Sequence, residues 1–133
     1  MDDLNTTSEI LDIHEARRRI GDVRLVVDAI MATTREIAAL QQEIRAMRSD
    51  SDRDTELRDR HSHAQVVFRE KVQQLNTLGA VLKDPMTGLI DFYTWVDGEL
   101  AFLCWQHGED NIEYWHGIEE GYRGRKPVSE FPS

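Results

Sequence analysis

The residues of this chain best suited to chemistry gather between Leu100 and Gly117. That stretch holds two of the three tryptophans, the only cysteine and two of the five histidines. Cys104-x-x-His107 and Glu113-x-x-His116 have spacings that a metal ion or a proton-transfer pair can use when the segment is helical. In a strand, residues i and i+3 point to opposite faces, so neither pair can meet. The alternating pattern favours strands here, and a helical turn at "IEYWH" remains the alternative.

Composition excludes several classes of function. The chain has 133 residues, 40% of them apolar, which matches one domain with a real core. Its net charge of −9 argues against nucleic-acid binding, which needs Lys and Arg to neutralise phosphates. The chain has no apolar run of membrane-spanning length, and "MDDLNTTSEI" does not resemble a signal peptide. We therefore expect a cytoplasmic protein that binds neither nucleic acid nor membranes.

The single cysteine limits any metal site. One thiol forms no internal disulfide and no multi-thiolate zinc site. Histidine and carboxylate side chains would have to supply the other ligands.

Hydrophobic periodicity predicts two long helices, 13–48 and 55–78. Asp12 and Glu15 have the spacing of a capping box, in which Asp12 accepts a first-turn N–H and Glu15 reaches back. A polar turn over 49–55 joins the helices, and Gly79 ends the second. They form an antiparallel hairpin of the coiled-coil type. The first helix, roughly 54 Å long, overhangs a compact globule of roughly 36 Å.

After the helices the apolar period changes to two, which predicts a β-meander over 80–116. "LIDFYTWV" and "ELAFLCWQH" flank Asp97-Gly98, the dipeptide that a type I′ hairpin prefers, and closing that turn places Asp91 opposite Cys104. A four-residue turn "GEDN" then pairs Cys104 with Trp115 and Leu103 with His116. The fold class is α+β, a long antiparallel helical hairpin followed by a three- or four-stranded antiparallel β-meander.

Both faces of the predicted sheet are apolar. In this register His107 and His116 lie on the face opposite Cys104, about 13 Å from one another. A sheet apolar on both faces needs two covers. The hairpin is one, and the tail 117–133, a second subunit or a ligand is the other. With the overhanging first helix, this pattern predicts a homodimer.

The C-terminal half resembles a known family. Segments such as "LKDPMTGLIDF", "LCWQHGE" and "YWHGIEEGYRGRKPV" resemble a bacterial family identified only as domain-of-unknown-function family twenty-two-oh-three. Tyr93 stands where that family usually has proline. The resemblance implies a helical hairpin followed by a strand-rich segment, and it implies no reaction, ligand or partner. The residues that carry it are Leu82-Lys83-Asp84, Gly88, Leu89, Asp91-Phe92, Leu103-Cys104-Trp105, Gly108-Glu109, Trp115-His116, Gly121 and Gly124-Arg125.

Three residues form the candidate ligand-binding site: Asp91, His116 and Arg125. Asp91 is a carboxylate on an apolar face, so it needs N–H donors or a cation such as Lys83 or Arg125. His116 closes the third predicted strand, where a hydrogen bond to a carbonyl is its simplest role. Arg125 belongs to a basic, glycine-flexed tail that can fold back onto carboxylates. Cys104 is expected to be a small buried hydrophobe.

Two function classes remain open. The first is a non-enzymatic interaction or ligand-binding module that dimerises through its helical hairpin, uses no cofactor and takes a small-molecule or protein ligand. The second is a metal- or acid/base-dependent enzyme built from Asp91, His116, Glu119, Glu120 and Arg125. In that alternative, His116, Glu119 and Glu120 would hold a divalent metal.

Overall fold

The computed structural model describes residues 5–47 and 51–130. Helix α1 spans Ile13–Ala46 and helix α2 spans Ser51–Thr77, and together they form the predicted hairpin. The predicted end of the first helix, Arg48, lies outside the described residues. Helix α2 begins four residues earlier than predicted, within the expected polar turn. Asp52 and Asp54 lie in its first turn, where negative charge complements the helix dipole.

The N-terminus of α1 is capped as the sequence predicts. Asp12 Oδ1 accepts a hydrogen bond of 2.8 Å from the backbone N–H of Glu15. The Glu15 carboxylate pairs with the Arg19 guanidinium at 3.3 Å, a different partner from the backbone N–H that a capping box predicts. The start of the helix therefore depends on Asp12, while Glu15 contributes an i,i+4 ion pair.

The C-terminal half is a five-stranded antiparallel sheet with strands in chain order. The strands are β1 (Ala80–Asp84), β2 (Leu89–Val96), β3 (Glu99–Gln106), β4 (Tyr114–Gly117) and β5 (Lys126–Pro127). The sheet thus has five strands, one more than the larger of the two predicted numbers.

The hairpin between β2 and β3 has the predicted register throughout. Asp97 and Gly98 have φ angles of +54° and +81°, as a type I′ turn requires. Asp91 lies opposite Cys104, and Tyr93 lies opposite Phe102. A local turn signal was enough to determine this register, because the turn directly joins the paired strands.

The predicted register between β3 and β4 is wrong by one residue. Phe102 pairs with His116 and Cys104 with Tyr114, so His116 lies on the same face as Cys104 and Asp91. The connecting loop is longer than the predicted turn because Ile112 leaves the ladder and is fully buried in the core. A one-residue slip moves every side chain of a strand to the other face.

Two contacts hold that loop in its observed path. Glu109 accepts hydrogen bonds from the Trp105 indole at its carbonyl and from the Gln106 backbone at its carboxylate, at 3.0 and 2.9 Å. The Arg17 guanidinium on α1 donates to the Ile112 carbonyl at 2.7 Å. The Glu109 hydrogen bonds span only three and four residues, whereas the Arg17 contact joins residues 95 positions apart, so no local pattern predicts that contact.

One face of the sheet packs on the helices. Ile90, Phe92, Leu103 and Trp105 are fully buried there against a shared core that includes α1 and α2. A second, smaller core lies in the remote half of the hairpin, around Leu40, Leu57 and Ala64. The helices therefore extend past the sheet and contact one another there.

The opposite face of the sheet is covered unevenly. Phe102 is buried, whereas Trp95 and Leu100 are 58% and 39% exposed. Part of the tail lies over this face, where the Arg125 guanidinium stacks on the Tyr114 ring at 4.0 Å. The tail is therefore one of the covers that the sequence requires, and it leaves the hairpin end of the face open.

Candidate functional site

A cluster of polar side chains lies within this second face, which we call the buried polar cluster: Lys83, Asp91, Cys104 and His116. Each comes from a different strand, β1 to β4 in order. Asp91, Cys104 and His116 are 2%, 0% and 3% exposed. The register places Asp91 directly opposite Cys104, whereas His116 lies opposite Phe102, two residues before Cys104 on the same face. Lys83 lies at the irregular end of β1, two residues after Val81, the partner of Asp91.

Asp91 is the centre of the cluster. Its two carboxylate oxygens lie 3.2 and 3.1 Å from His116 Nε2, and Oδ2 lies 3.7 Å from the Lys83 ammonium. The sequence named Lys83 as one possible partner for this buried carboxylate, and the structure shows the pair. Two cationic or donor groups thus compensate the cost of burying the charge.

Both ring nitrogens of His116 face oxygen atoms. Nδ1 donates a hydrogen bond of 2.9 Å to the Gly117 carbonyl, and Nε2 faces Asp91. Burial lowers the pKa of His116, but the hydrogen bond and charge of Asp91 outweigh it and leave the pKa raised. The carbonyl contact expected at the sheet end is therefore present, together with a carboxylate contact that the predicted register excluded.

Cys104 is the least exposed member of the cluster. Burial, together with the charge of Asp91, raises the pKa of its thiol to about 12. The buried, small side chain that the sequence predicts is confirmed. Its surroundings are polar, however, because its sulfur and the nearest ligand atoms of Asp91 and His116 all lie within 4.8 Å of one another.

Aromatic rings border the cluster. The Phe102 ring lies 5.3 Å from the His116 ring, and the Lys83 ammonium lies 4.2 Å above the Phe102 ring. A cation over an aromatic face is attracted by the ring quadrupole. Lys83, whose side chain is 36% exposed, therefore closes the cluster on one side.

Arg125, the third predicted site residue, makes different contacts from those expected. Its guanidinium donates to both oxygens of Glu109, at 2.7 and 2.8 Å, and lies between the rings of Tyr114 and Tyr122. Its side chain is only 10% exposed. Burial lowers the pKa of Arg125, and the Glu109 hydrogen bonds reverse the direction to a net increase. The basic tail does fold back onto a carboxylate, and that carboxylate is Glu109.

The two glutamates of the enzyme alternative lie outside the cluster. Glu120 Oε1 accepts hydrogen bonds from the Gly117 backbone and the Lys126 ammonium, at 2.8 and 2.7 Å. Glu119 is exposed in the turn after β4. Among the described residues, the group within reach of one metal ion joins His116 to Asp91 and Cys104, and it does not include the glutamates.

Comparison with known protein families identifies the chain. The model of an uncharacterized conserved protein family, DUF2203, matches residues 9–128. The chain belongs to the DUF2203 family. No curated protein and no solved structure matches it. The match spans both helices and all five strands, and it agrees with the resemblance seen in the sequence.

In this DUF2203 member, sequence reasoning missed Cys104 as a site residue. Asp91 and Cys104 were already paired by the Asp97-Gly98 turn, so half of the cluster was visible. The missing information was whether the loop after β3 has an odd or an even number of residues, because this number decides which face each side chain of β4 points to. The apolar Ile112 lies between polar neighbours and is fully buried in the core outside the ladder, a path that the sequence pattern did not distinguish from the predicted pairing.

Within residues 5–47 and 51–130, none of the helices combines the length and the apolar character needed to cross a membrane.

Proposed function

We propose that this DUF2203 chain is a small, non-enzymatic cytoplasmic binding module whose ligand site is the buried polar cluster, bordered by Arg125. The observation that carries the proposal is the convergence of a carboxylate, an imidazole and a thiol, all at most 3% exposed, from three strands. Buried ionisable groups rarely stabilise a fold more than apolar residues of equal size. A binding role explains why an otherwise apolar face contains them.

The same geometry favours binding over thiol catalysis. A nucleophilic cysteine needs a base within hydrogen-bond reach of its sulfur and a lowered pKa. Cys104 has a raised pKa, and the one imidazole nearby is engaged by Asp91 and Gly117. Asp91, the other acceptor near the thiol, already interacts with His116 and Lys83.

The edge of the cluster also suits a ligand. Lys83 lies over Phe102 and beside Asp91, and Arg125 lies over Tyr114, the residue opposite Cys104. Their side chains are 36% and 10% exposed. A partly exposed ammonium and a guanidinium held by Glu109 near one polar centre give a small ligand both access and orientation.

We further propose a homodimer formed through the remote half of the helical hairpin. There α1 and α2 bury only the small core of Leu40, Leu57 and Ala64 between them. A two-helix stretch leaves most of its surface unpaired, and a second copy completes a four-helix arrangement. Arg53, which pairs with Glu43 and Glu56, shows that this end carries both charge signs, as a self-complementary surface requires.

Native mass spectrometry of the purified protein tests both proposals. We expect a mass near twice 15.4 kDa, increased by a bound species that denaturing conditions remove. Asp91→Asn should lose that species, while Asp28→Asn, which changes an exposed carboxylate paired with His107, should keep it. If Asp91→Asn does not fold, Lys83→Gln provides the second variant, because its half-exposed side chain tolerates replacement.

A wild-type mass equal to the bare chain or bare dimer would contradict the binding proposal. A bound species that both Asp91→Asn and Lys83→Gln retain would place the ligand elsewhere. A monomer at micromolar concentration would contradict the dimer alone.

A further inference from the structure

We infer that the buried polar cluster is a site for one divalent transition-metal ion of the zinc class, coordinated by Asp91, Cys104 and His116. This inference rests on the proposed function and names the ligand of that site. It differs from the metal site of the enzyme alternative, which used Glu119 and Glu120 beside His116, and from the first interpretation of the sequence, which used no cofactor.

The distances match such a site closely. The candidate ligand atoms lie within 4.8 Å of one another, and the nitrogen of His116 lies 3.1 Å from an oxygen of Asp91. Ligand atoms around tetrahedral zinc are roughly 3.3–3.7 Å apart, given bonds of about 2.0–2.3 Å. The sulfur therefore needs to approach by about 1 Å, which rotation of the Cys104 side chain on its strand can supply.

The orientation of His116 is that of a metal ligand. Its Nδ1–H donates to the Gly117 carbonyl, which leaves the Nε2 lone pair directed toward Asp91. Histidines that bind metals almost always donate their other ring N–H to a carbonyl or carboxylate, which determines the tautomer and orients the ring. Nε2 and the carboxylate are both acceptors, so either a proton or a metal ion must lie between them, and in the metal-free protein a proton takes that position. A metal ion in that position satisfies both groups.

The donor set selects the kind of metal. One thiolate, one imidazole and one carboxylate are the mixed soft and hard ligands typical of zinc, whereas Mg²⁺ and Ca²⁺ take oxygen ligands. The thiolate and the carboxylate together neutralise a divalent ion. Lys83, whose ammonium lies 3.7 Å from Oδ2 of Asp91, then serves as the partner that orients the ligating carboxylate.

Zn²⁺ titration of chelator-treated protein by calorimetry tests the site, with Co²⁺ absorption as a direct report of sulfur coordination. We expect one ion per chain and a near-ultraviolet thiolate-to-cobalt charge-transfer band. Cys104→Ser should remove the band and weaken Zn²⁺ binding by at least about 100-fold, since it removes a direct ligand. His116→Gln should weaken binding similarly, and His63→Gln, at an exposed position on α2, should bind as the wild type does.

Absence of Zn²⁺ binding, or Co²⁺ binding without a thiolate band, would overturn this inference. Unchanged affinity in Cys104→Ser would do the same. If that variant does not fold, the wild-type Co²⁺ spectrum decides alone, because the chain has one cysteine. An organic species in the native mass spectrum without Zn²⁺ uptake would overturn the metal site and preserve the binding module. If the protein shows neither a bound organic species nor Zn²⁺ uptake, both the metal site and the binding module are overturned.

Discussion

Replacing Asp91 with alanine in the metal-free protein should destabilise the fold strongly. The carboxylate is 2% exposed and lies 3.1 Å from the nitrogen of His116, which is 3% exposed, so water cannot replace the lost contact. Removing one partner of a buried pair costs about 3–5 kcal/mol. The Lys83 side chain is 36% exposed and its ammonium regains hydration, so losing its ion pair with Asp91 adds under about 1 kcal/mol.

Urea denaturation of matched variants measures this cost. Asp91→Ala should lower the free energy of unfolding by about 3–5 kcal/mol, and Asp91→Asn, whose amide oxygen still accepts from His116, by about 1–3 kcal/mol. Asp28→Ala removes a 54% exposed partner of His107 and should cost under about 1 kcal/mol. Equal losses in Asp91→Ala and Asp28→Ala would refute the reasoning, because burial would then make no difference.

Three further predictions follow from the same structure. Because Asp91 raises the pKa of His116, their interaction should stabilise the metal-free protein fully below about pH 6.5, the pKa of histidine in the unfolded chain. This stabilisation is lost as the pH rises through the higher pKa of the folded protein. The free energy of unfolding, measured at several pH values, should therefore decline in the wild type and not in Asp91→Asn. Cys104, fully buried with its pKa raised to about 12, should resist thiol reagents in the native state and react in denaturant, whereas rapid native labelling would contradict its burial. Gly21→Ala should raise the free energy of unfolding by up to about 1 kcal/mol, because Gly21 lies in α1 with open space around it. Gly88→Ala should lower thermal stability markedly, because φ is +71° there and the new Cβ would lie 2.6 Å from the His107 Cβ.

Local patterns were sufficient for most of the fold. The N-cap at Asp12 and the apolar stripe placed the start of α1, and Gly79, with φ at +91°, ends α2 as predicted. Asp97-Gly98 determined the pairing of Asp91 with Cys104. Each signal acts within a few residues along the chain, so neighbouring side chains and backbone angles contain the needed information.

The beginning of α2 was the less predictable helix end. The polar run before Thr55 has the composition of a turn, yet residues 51–55 are helical. Charged residues there form ion pairs within the hairpin, such as Arg53 with Glu43 on α1. A contact between two helices thus extended an element whose own sequence favours a turn.

The sequence alone determined that a carboxylate and a thiol face one another in the middle of an apolar sheet. Only the tertiary structure decided that His116 joins them, because the register of β4 depends on how Ile112 enters the core and how Arg17 on α1 binds its carbonyl. The folded loop likewise places the Glu109 carboxylate within hydrogen-bond distance of the Arg125 guanidinium. Side-chain alternation in a strand has a period of two, so one residue of loop length, chosen by contacts distant in the chain, decides which groups share the site.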